Sequence, residues 1–351
     1  MTKDKILITG GYGFIGSCLI RYLLNEGHTI VGNIDKLTYC SNTESITNDD
    51  SLKNYFFYKE DIFDQKKISE IINEFKPNYI IHLAAESHVD RSIDGPEVFM
   101  NSNIIGTFNL LNASYQYISN NNLHDNFKFI LVSTDEVYGS LNNSEDSFTE
   151  ESSYAPNSPY SASKASADLL ARAWNKTYKF PIIVTNTTNN YGPWQFPEKL
   201  IPLTIYKCLN EQKIPIYGSG DQIRDWIYVD DHVTGLIAVI KDGKIGEKYN
   251  IGCSNELRNI DVVKDICNVL DSTKPRKNGL YSDLIEFVSD RPGHDFRYAL
   301  NSNKIKDLGW KPKYNWNEAL KMTIEWYINN PKYLNSDNLK KYSGERLGSI
   351  K

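Results

Sequence analysis

The chain opens on an apolar run, Lys5-Ile6-Leu7-Ile8-Thr9, which breaks at once into Gly10-Gly11-Tyr12-Gly13-Phe14-Ile15-Gly16 and then a helical pattern over Ile15–Glu26. This order of strand, glycine-rich turn and helix constrains the fold more than any other feature. Gly10, Gly13 and Gly16 permit a tight turn, let backbone approach a pyrophosphate, and let the helix pack closely on the strand. The helix N-terminus offers unpaired N–H groups and partial positive charge to a phosphate. A purely structural turn is the competing reading, and the next strand weighs against it. Thr29–Ile34 is followed by Asp35, 25 residues past Gly10. An acid near that offset, ~20 residues on, accepts from adenosine ribose hydroxyls and repels a 2′-phosphate, which favours NAD over NADP. Asp61 and Ile62 are an adenine-side contact or an ordinary turn.

Further apolar runs at Phe56–Tyr58, Tyr79–Ala84, Phe129–Ser133 and Pro181–Asn189 alternate with helical patterns. Continuous Ile/Val/Leu runs suit strands covered on both faces, and interleaved helices imply βαβ units. The reading is an α/β fold: a Rossmann-type doubly wound parallel sheet with a smaller, mixed α/β C-terminal substrate lobe. Prolines and glycines from Gly192 onward change the texture, and helical patterns return at Asp261–Leu270 and Trp316–Trp326. Residues 1–191 are assigned to the NAD-binding domain. Residues 192–351 are assigned mainly to the substrate lobe, with some segments returning to the first domain. A net charge of −5 gives no basic footprint for nucleic acid. No apolar run approaches the ~20 residues that span a membrane. Met1-Thr2-Lys3-Asp4-Lys5 leads straight into the first strand, read as leaving no room for a signal peptide. Five scattered cysteines without a C-x-x-C pair fit reduced thiols in a cytoplasmic protein. The polar tail from about Asn335 is expected to be poorly ordered.

Two motifs carry chemistry. Ser158-Pro159-Tyr160-Ser161-Ala162-Ser163-Lys164 reads as a helix start, with Ser158 as N-cap and Pro159 in the first position. Tyr160 and Lys164 then share a face. Oxidising an alcohol needs a base for the hydroxyl proton, and a free phenol, with a pKa of about 10, is a poor one at neutral pH. A lysine cation and the nicotinamide's own charge favour the phenolate. Tyr-x-x-x-Lys alone is usually a solvated helix face; downstream of a dinucleotide turn it reads as function. Ser133-Thr134-Asp135-Glu136-Val137-Tyr138-Gly139 closes the fifth strand, where ligands dock in such sheets. A capped turn is the bland alternative. With one carboxyl protonated and the other ionised, the pair can donate and accept protons at neighbouring carbons. Removal of water requires that; dehydrogenation or epimerisation at one carbon does not.

Together with LAAESHVDRSI, TNNYGPWQFPEKLIP, YGSGDQIRDWIYVDDH and DRPGHDFRYA, these motifs make the chain resemble an extended short-chain dehydrogenase/reductase. Among those it resembles the dTDP-glucose 4,6-dehydratases, from about Lys5 to Trp326. The resemblance implies that Tyr160, aided by Lys164, takes the 4-hydroxyl proton while C4 of the sugar gives hydride to NAD. Glu136 is then the base at C5, and Asp135 the acid that expels the 6-hydroxyl as water. Hydride returns to C6, so tightly held NAD is recycled. Thr134 is implied to hydrogen-bond the 4-oxygen. The cofactor candidates also include Phe14, Ile15, Lys36, Leu37, Thr38, Leu83, Ala84, Ala85, Ser87, Ser102 and Asn190. Ser87, Asn189, Lys199, Leu200, Pro215, Ile216, Tyr217, Arg224, Asn259, Asp290, Arg291, Pro292, Gly293 and His294 are implied to line the nucleotide-sugar site. Arg224 can fork onto a pyrophosphate, and Arg297 is a second candidate. Asp225, Trp226, Asp230, Asp231 and His232 are assigned to structure, and no histidine shows metal-ligand spacing.

Enzymes of this kind pair through helices following Asn103 and Tyr160. Ala165, Leu169, Leu170 and Ala173 form an apolar stripe on the second helix, so a homodimer is expected. The nearest rival reading, a UDP-sugar 4-epimerase, shares the turn and the Tyr160–Lys164 pair but lacks the acid pair. The same dehydration on UDP-glucose differs only by a 5-methyl and a 2′-hydroxyl, and the overall match favours dTDP-glucose.

Overall fold

The computed structural model describes residues 3–46 and 50–334; Met1, Thr2 and the polar tail from Asn335 lie outside the described residues. Strand β1 (Asp4–Thr9) shows why the first apolar run is continuous. Ile6 and Ile8 share one core with Leu19, Ile20 and Leu23 of helix α1 (Phe14–Glu26). Leu7, pointing to the other face, shares a second core with Ile68 and Ile72 of α2 (Gln65–Phe75). A strand covered on both faces favours apolar side chains at successive positions, here Ile6, Leu7 and Ile8.

The remaining strands of the first half are β2 (Thr29–Ile34), β3 (Tyr55–Tyr58), β4 (Tyr79–His82), β5 (Lys128–Thr134) and β6 (Ile182–Thr187). In the second half come β7 (Asn189–Tyr191), β8 (Ile214–Tyr217), β9 (Ile223–Tyr228), β10 (Lys248–Ile251), β11 (Glu256–Arg258) and β12 (Ile285–Val288). The large sheet runs β10-β6-β5-β4-β1-β2-β3, every pair parallel. Chain order reverses between β1 and β4, whose register ends at Thr9 and His82, and the crevice where such sheets bind ligands opens beyond these carboxyl ends. Helices α3 (Gly106–Asn121) and α4 (Pro159–Tyr178) share the α2 core.

The long run at Pro181–Asn189 divides. At Thr188 the backbone N–H bonds Ile251 O on β10, and Asn189–Tyr191 leaves to pair with β9 in a three-stranded sheet, β11-β9-β7. Strands β8 and β12 form a separate pair. Helices α5 (Leu200–Leu209), α7 (Asn259–Thr273) and α8 (Trp316–Asn329) enclose a third core built on Ile205, Ile266 and Ile324. Between them α6 (Val229–Asp242) packs with α1, and β10 extends the large sheet, so residues 229–251 return to the first half of the chain. Among the described residues no helix is long and apolar enough to cross a membrane.

Candidate active site

A cavity of about 510 Å³ runs along the carboxyl ends of the central strands, from the glycine turn to Arg224, Arg291 and His294. Every cofactor candidate except Leu37 stands on its wall. Gly10 has φ +74°, and a Cβ there would sit 2.8 Å from the Ala84 backbone; at Gly16 it would sit 2.2 Å from Gly10 O. These are backbone approaches that no side chain survives, the form a pyrophosphate cradle takes. Gly13 is the N-cap of α1 and offers no side-chain cap, which leaves first-turn amides for a phosphate. Asp35 is fixed at the wall by Tyr12 N–H at 2.9 Å and Leu37 N–H at 2.8 Å. Leu37 itself, at φ +61°, turns its side chain into the α1 core. Glycine cradle, uncapped helix and anchored acid fit NAD.

The acid pair begins where β5 ends. Thr134 caps the one-turn helix Asp135–Tyr138 through Glu136 N–H at 3.3 Å, and its hydroxyl donates to Asp135 Oδ1 at 3.1 Å. The second Asp135 oxygen is buried and has no hydrogen-bond partner among the described residues. Burial, then the neighbouring Glu136 charge, pushes the Asp135 carboxyl well above the ordinary range. Burial raises Glu136 as well, but Lys199, Arg291 and Arg224 all oppose the rise. The two carboxyls are therefore split: Asp135 keeps its proton more strongly, and Glu136 faces cations that favour its anion.

Helix α4 starts as the sequence predicts, with Ser158 and Ser161 capping each other reciprocally and Pro159 in the first turn. This cap places Tyr160 on the wall, its N–H on Ser92 Oγ at 3.2 Å and its ring edge-on to Phe99. Lys164 donates to Val132 O at 2.8 Å. The expectation draws on two charges to favour the phenolate, Lys164 and the nicotinamide, and the protein alone supplies only the first. Burial, then Glu136, drives Tyr160 upward, with the Thr134 hydroxyl in opposition. The phenolate thus requires further positive charge at the ring, which an oxidised nicotinamide carries.

At the far end, Arg224 is buried with its guanidinium 4.3 Å from the Tyr298 ring centroid. It donates to Ile223 O at 2.7 Å and Asp295 O at 2.9 Å. Arg291 pairs with Asp90 at 2.5 Å, whose other oxygen accepts from Tyr217 at 3.0 Å. Ser87, Thr134, Asn189, Lys199, Leu200, Pro215, Ile216, Asn259 and His294 share this wall. Arg297 does not: its guanidinium is taken by Glu256 at 2.6 Å and by the Asn142 and Glu145 carbonyls. Pro292 and Gly293 also stand off the wall, and Asp290 lies behind it, holding His294 Nδ1 at 2.6 Å and Gln222 at 2.7 Å. Trp226, read as structural, reaches the wall. Asp225, Asp231 and His232 hold local structure: the two carboxylates take backbone N–H groups, and His232 meets Asn190 Oδ1 at 2.9 Å. Asp90, Glu198 and Tyr298 went unread, because their roles come from partners distant in sequence.

The sheet order, the glycine cradle and the Tyr160–Lys164 pair define an NAD-dependent enzyme of the short-chain dehydrogenase/reductase class. A family model described as GDP-mannose 4,6 dehydratase matches residues 7–323, and the chain belongs to that family. It is 50% identical over 347 residues to dTDP-glucose 4,6-dehydratase 1 of Escherichia coli K12, covering 96% of this chain and 95% of that one. Among solved structures, the dTDP-glucose 4,6-dehydratase of Bacillus anthracis in complex with NAD is 42% identical, with a TM-score of 0.82 over 94% of this chain and 98% of that one. The Streptomyces venezuelae dTDP-glucose 4,6-dehydratase, also with NAD bound, is 38% identical with a TM-score of 0.85, over 94% and 98%.

Proposed function

We propose that this chain converts dTDP-glucose to dTDP-4-keto-6-deoxyglucose and water. The observation that carries the reading is the adjacent acid pair at the end of β5, beside Tyr160 on one cavity wall. The glycine turn, Asp35 and the Leu83–Ser87 stretch would hold NAD, with its nicotinamide toward Tyr160 and Lys164. When bound, NAD supplies a two-electron store that oxidises C4 and is restored as C6 is reduced. The chain's own groups move the protons. Tyr160 takes the proton of the 4-hydroxyl, and Thr134 holds the 4-oxygen. The 4-ketone acidifies the neighbouring C–H, and Glu136 removes the C5 proton. Asp135 gives its proton to the 6-hydroxyl, which leaves as water. Glu136 then returns its proton to C5. Each turnover leaves Tyr160 one proton richer and Asp135 one poorer, and Thr134, on Asp135 at 3.1 Å, is the hydroxyl placed to help return it.

The dTDP form is favoured by the 50% identical relative, and Arg224 with Arg291 supplies the charge for its pyrophosphate. Two copies pair through α3 and α4, where Phe108 and Leu169 are large apolar side chains left exposed. Ala165 of the sequence stripe is buried under Val137 and Tyr138 instead, so the pairing face is the outer part of that stripe. A cytoplasmic setting accords with five unpaired cysteines. The test incubates purified protein, without added NAD, with dTDP-glucose and separately with UDP-glucose. A product lighter by one water, formed faster from dTDP-glucose, is expected. An unchanged mass, or a 4-epimer, contradicts the proposal.

A further inference from the structure

Tyr160, Lys164 and Asp168 follow at four-residue spacing on α4, on the face turned into the protein, and are 8%, 6% and 3% exposed. The first two stand on the cavity wall; Asp168 does not, and the proton steps above never use it. Its Oδ2 accepts from the Tyr154 hydroxyl at 2.9 Å and from Asn186 Nδ2 at 3.2 Å. Burial pushes the Asp168 carboxyl up, while Lys164 and the Ser133, Asn186 and Tyr154 donors favour its anion. A buried carboxyl is a costly structural fastener, since a neutral amide would serve Tyr154 as well at lower desolvation cost. The value of Asp168 lies in its charge.

Lys164 is where that charge acts. Of its three donors, one is placed, on Val132 O at 2.8 Å. Burial favours the neutral amine, and Asp168 is the carboxylate that opposes this. A neutral Lys164 would give Tyr160 no help, because only the ammonium favours a phenolate. We propose that Asp168 is a positioning residue of the reaction, holding Lys164 as its ammonium beside Tyr160; this rests on the dehydratase reading above.

The surrounding groups set how the pair titrates. His82 on β4 faces Lys164 and stays neutral through burial and that same ammonium. Tyr138 and Tyr154 face Asp168, as does Lys248 of β10. Tyr154, Asp168 and Lys248 line a second cavity of about 490 Å³ behind the site, with Glu150 and Glu151. Lys248 is 4.9 Å from the Tyr154 ring centroid and lines that second cavity with Asp168, while Lys164, one helical turn before Asp168, stands on the active-site cavity.

The test uses holoenzyme purified with its own cofactor. The rate constant kcat and KM for dTDP-glucose are measured from about pH 6 to about pH 10 for the wild type, Asp168→Asn and Asp168→Glu. If the wild type leaves the substrate mass unchanged, the function and this inference fall together. With an active wild type, Asp168→Asn is expected to move the alkaline limb of kcat down by about one pH unit or more. The loss is about tenfold on that side, with KM within about threefold. Asp168→Glu, which keeps the charge, should restore most of the limb. A pH-independent loss, an unmoved limb, or an equal loss in Asp168→Glu overturns the proposal. Should Asp168→Asn prove too unstable to assay, thermal unfolding decides. Lys164→Met combined with Asp168→Asn removes both buried charges and should unfold well above Asp168→Asn alone; no recovery would make Asp168 structural and overturn the proposal.

Discussion

Replacing Asp135 with Asn removes one transferable proton and leaves the shape of the site in place. Asp135 is 2% exposed, and its Oδ1 accepts the Thr134 hydroxyl at 3.1 Å, a bond an amide oxygen can keep. A general acid in the transition state contributes about 10²–10⁴-fold, or about 3–5 kcal/mol. Asp135→Asn should therefore lower kcat by that factor and leave KM within about twofold, because ground-state binding does not use the proton. Oxidation at C4 comes before the acid is needed, so absorbance of the reduced nicotinamide should accumulate in a stopped-flow trace instead of passing quickly. A kcat within about tenfold of wild type, with no such accumulation, would refute the assignment, since the 6-hydroxyl would be leaving without this acid. Stability gives an independent check. Burial raises the Asp135 carboxyl above its unfolded value, about 3.9, so its stabilising contribution is present below that value and is lost as pH rises. Asn does not titrate. The difference in unfolding temperature between variant and wild type should therefore move in favour of Asn from about pH 4 to about pH 8.

Gly16→Ala would drive a Cβ to 2.2 Å from Gly10 O, backbone that has no room to yield; the protein should lose about 2 kcal/mol or more and purify without NAD, read by its absorbance spectrum. Arg224→Lys should raise KM about 10–100-fold through loss of the fork, whereas Arg297→Lys, whose partner is Glu256, should change it less than about threefold. Asp225 is pushed up to about 6 by burial, so its stabilising contribution is present below about pH 4 and lost as pH rises through about 6. In chemical denaturation the deficit of Asp225→Asn against wild type should accordingly shrink by about 2–3 kcal/mol between about pH 4 and about pH 7. Leu169→Glu should halve the mass seen by light scattering, because a charge on that exposed apolar face opposes pairing.

Local signals were legible and distant ones were not. The β1 run, the G-x-x-G-x-x-G turn and the Ser158-Pro159 start each carry their cause within a few residues, and the elements form where the sequence predicts. The break at Thr188 depends on β10, more than fifty residues later, which captures its N–H; periodicity inside Pro181–Asn189 holds no trace of it. Arg224 and Arg297 look alike in sequence. Glu256, 41 residues from Arg297, separates their roles by taking one guanidinium out of the site. Lys164 was readable as the partner of Tyr160, whereas its hydrogen bond to Val132 O, its dependence on Asp168 and the upward drift of the phenol appear only once burial is known.

The central claim is that one site oxidises C4, removes water across C5 and C6, and returns the same hydrogen to C6. Incubating purified protein, without added NAD, with dTDP-glucose deuterated at C4 tests it most directly, with the product analysed by mass spectrometry and deuterium NMR. The account predicts a product lighter by one water with the deuterium moved to C6. A product of unchanged mass, or one whose deuterium stays at C4 or is lost to solvent, would contradict it.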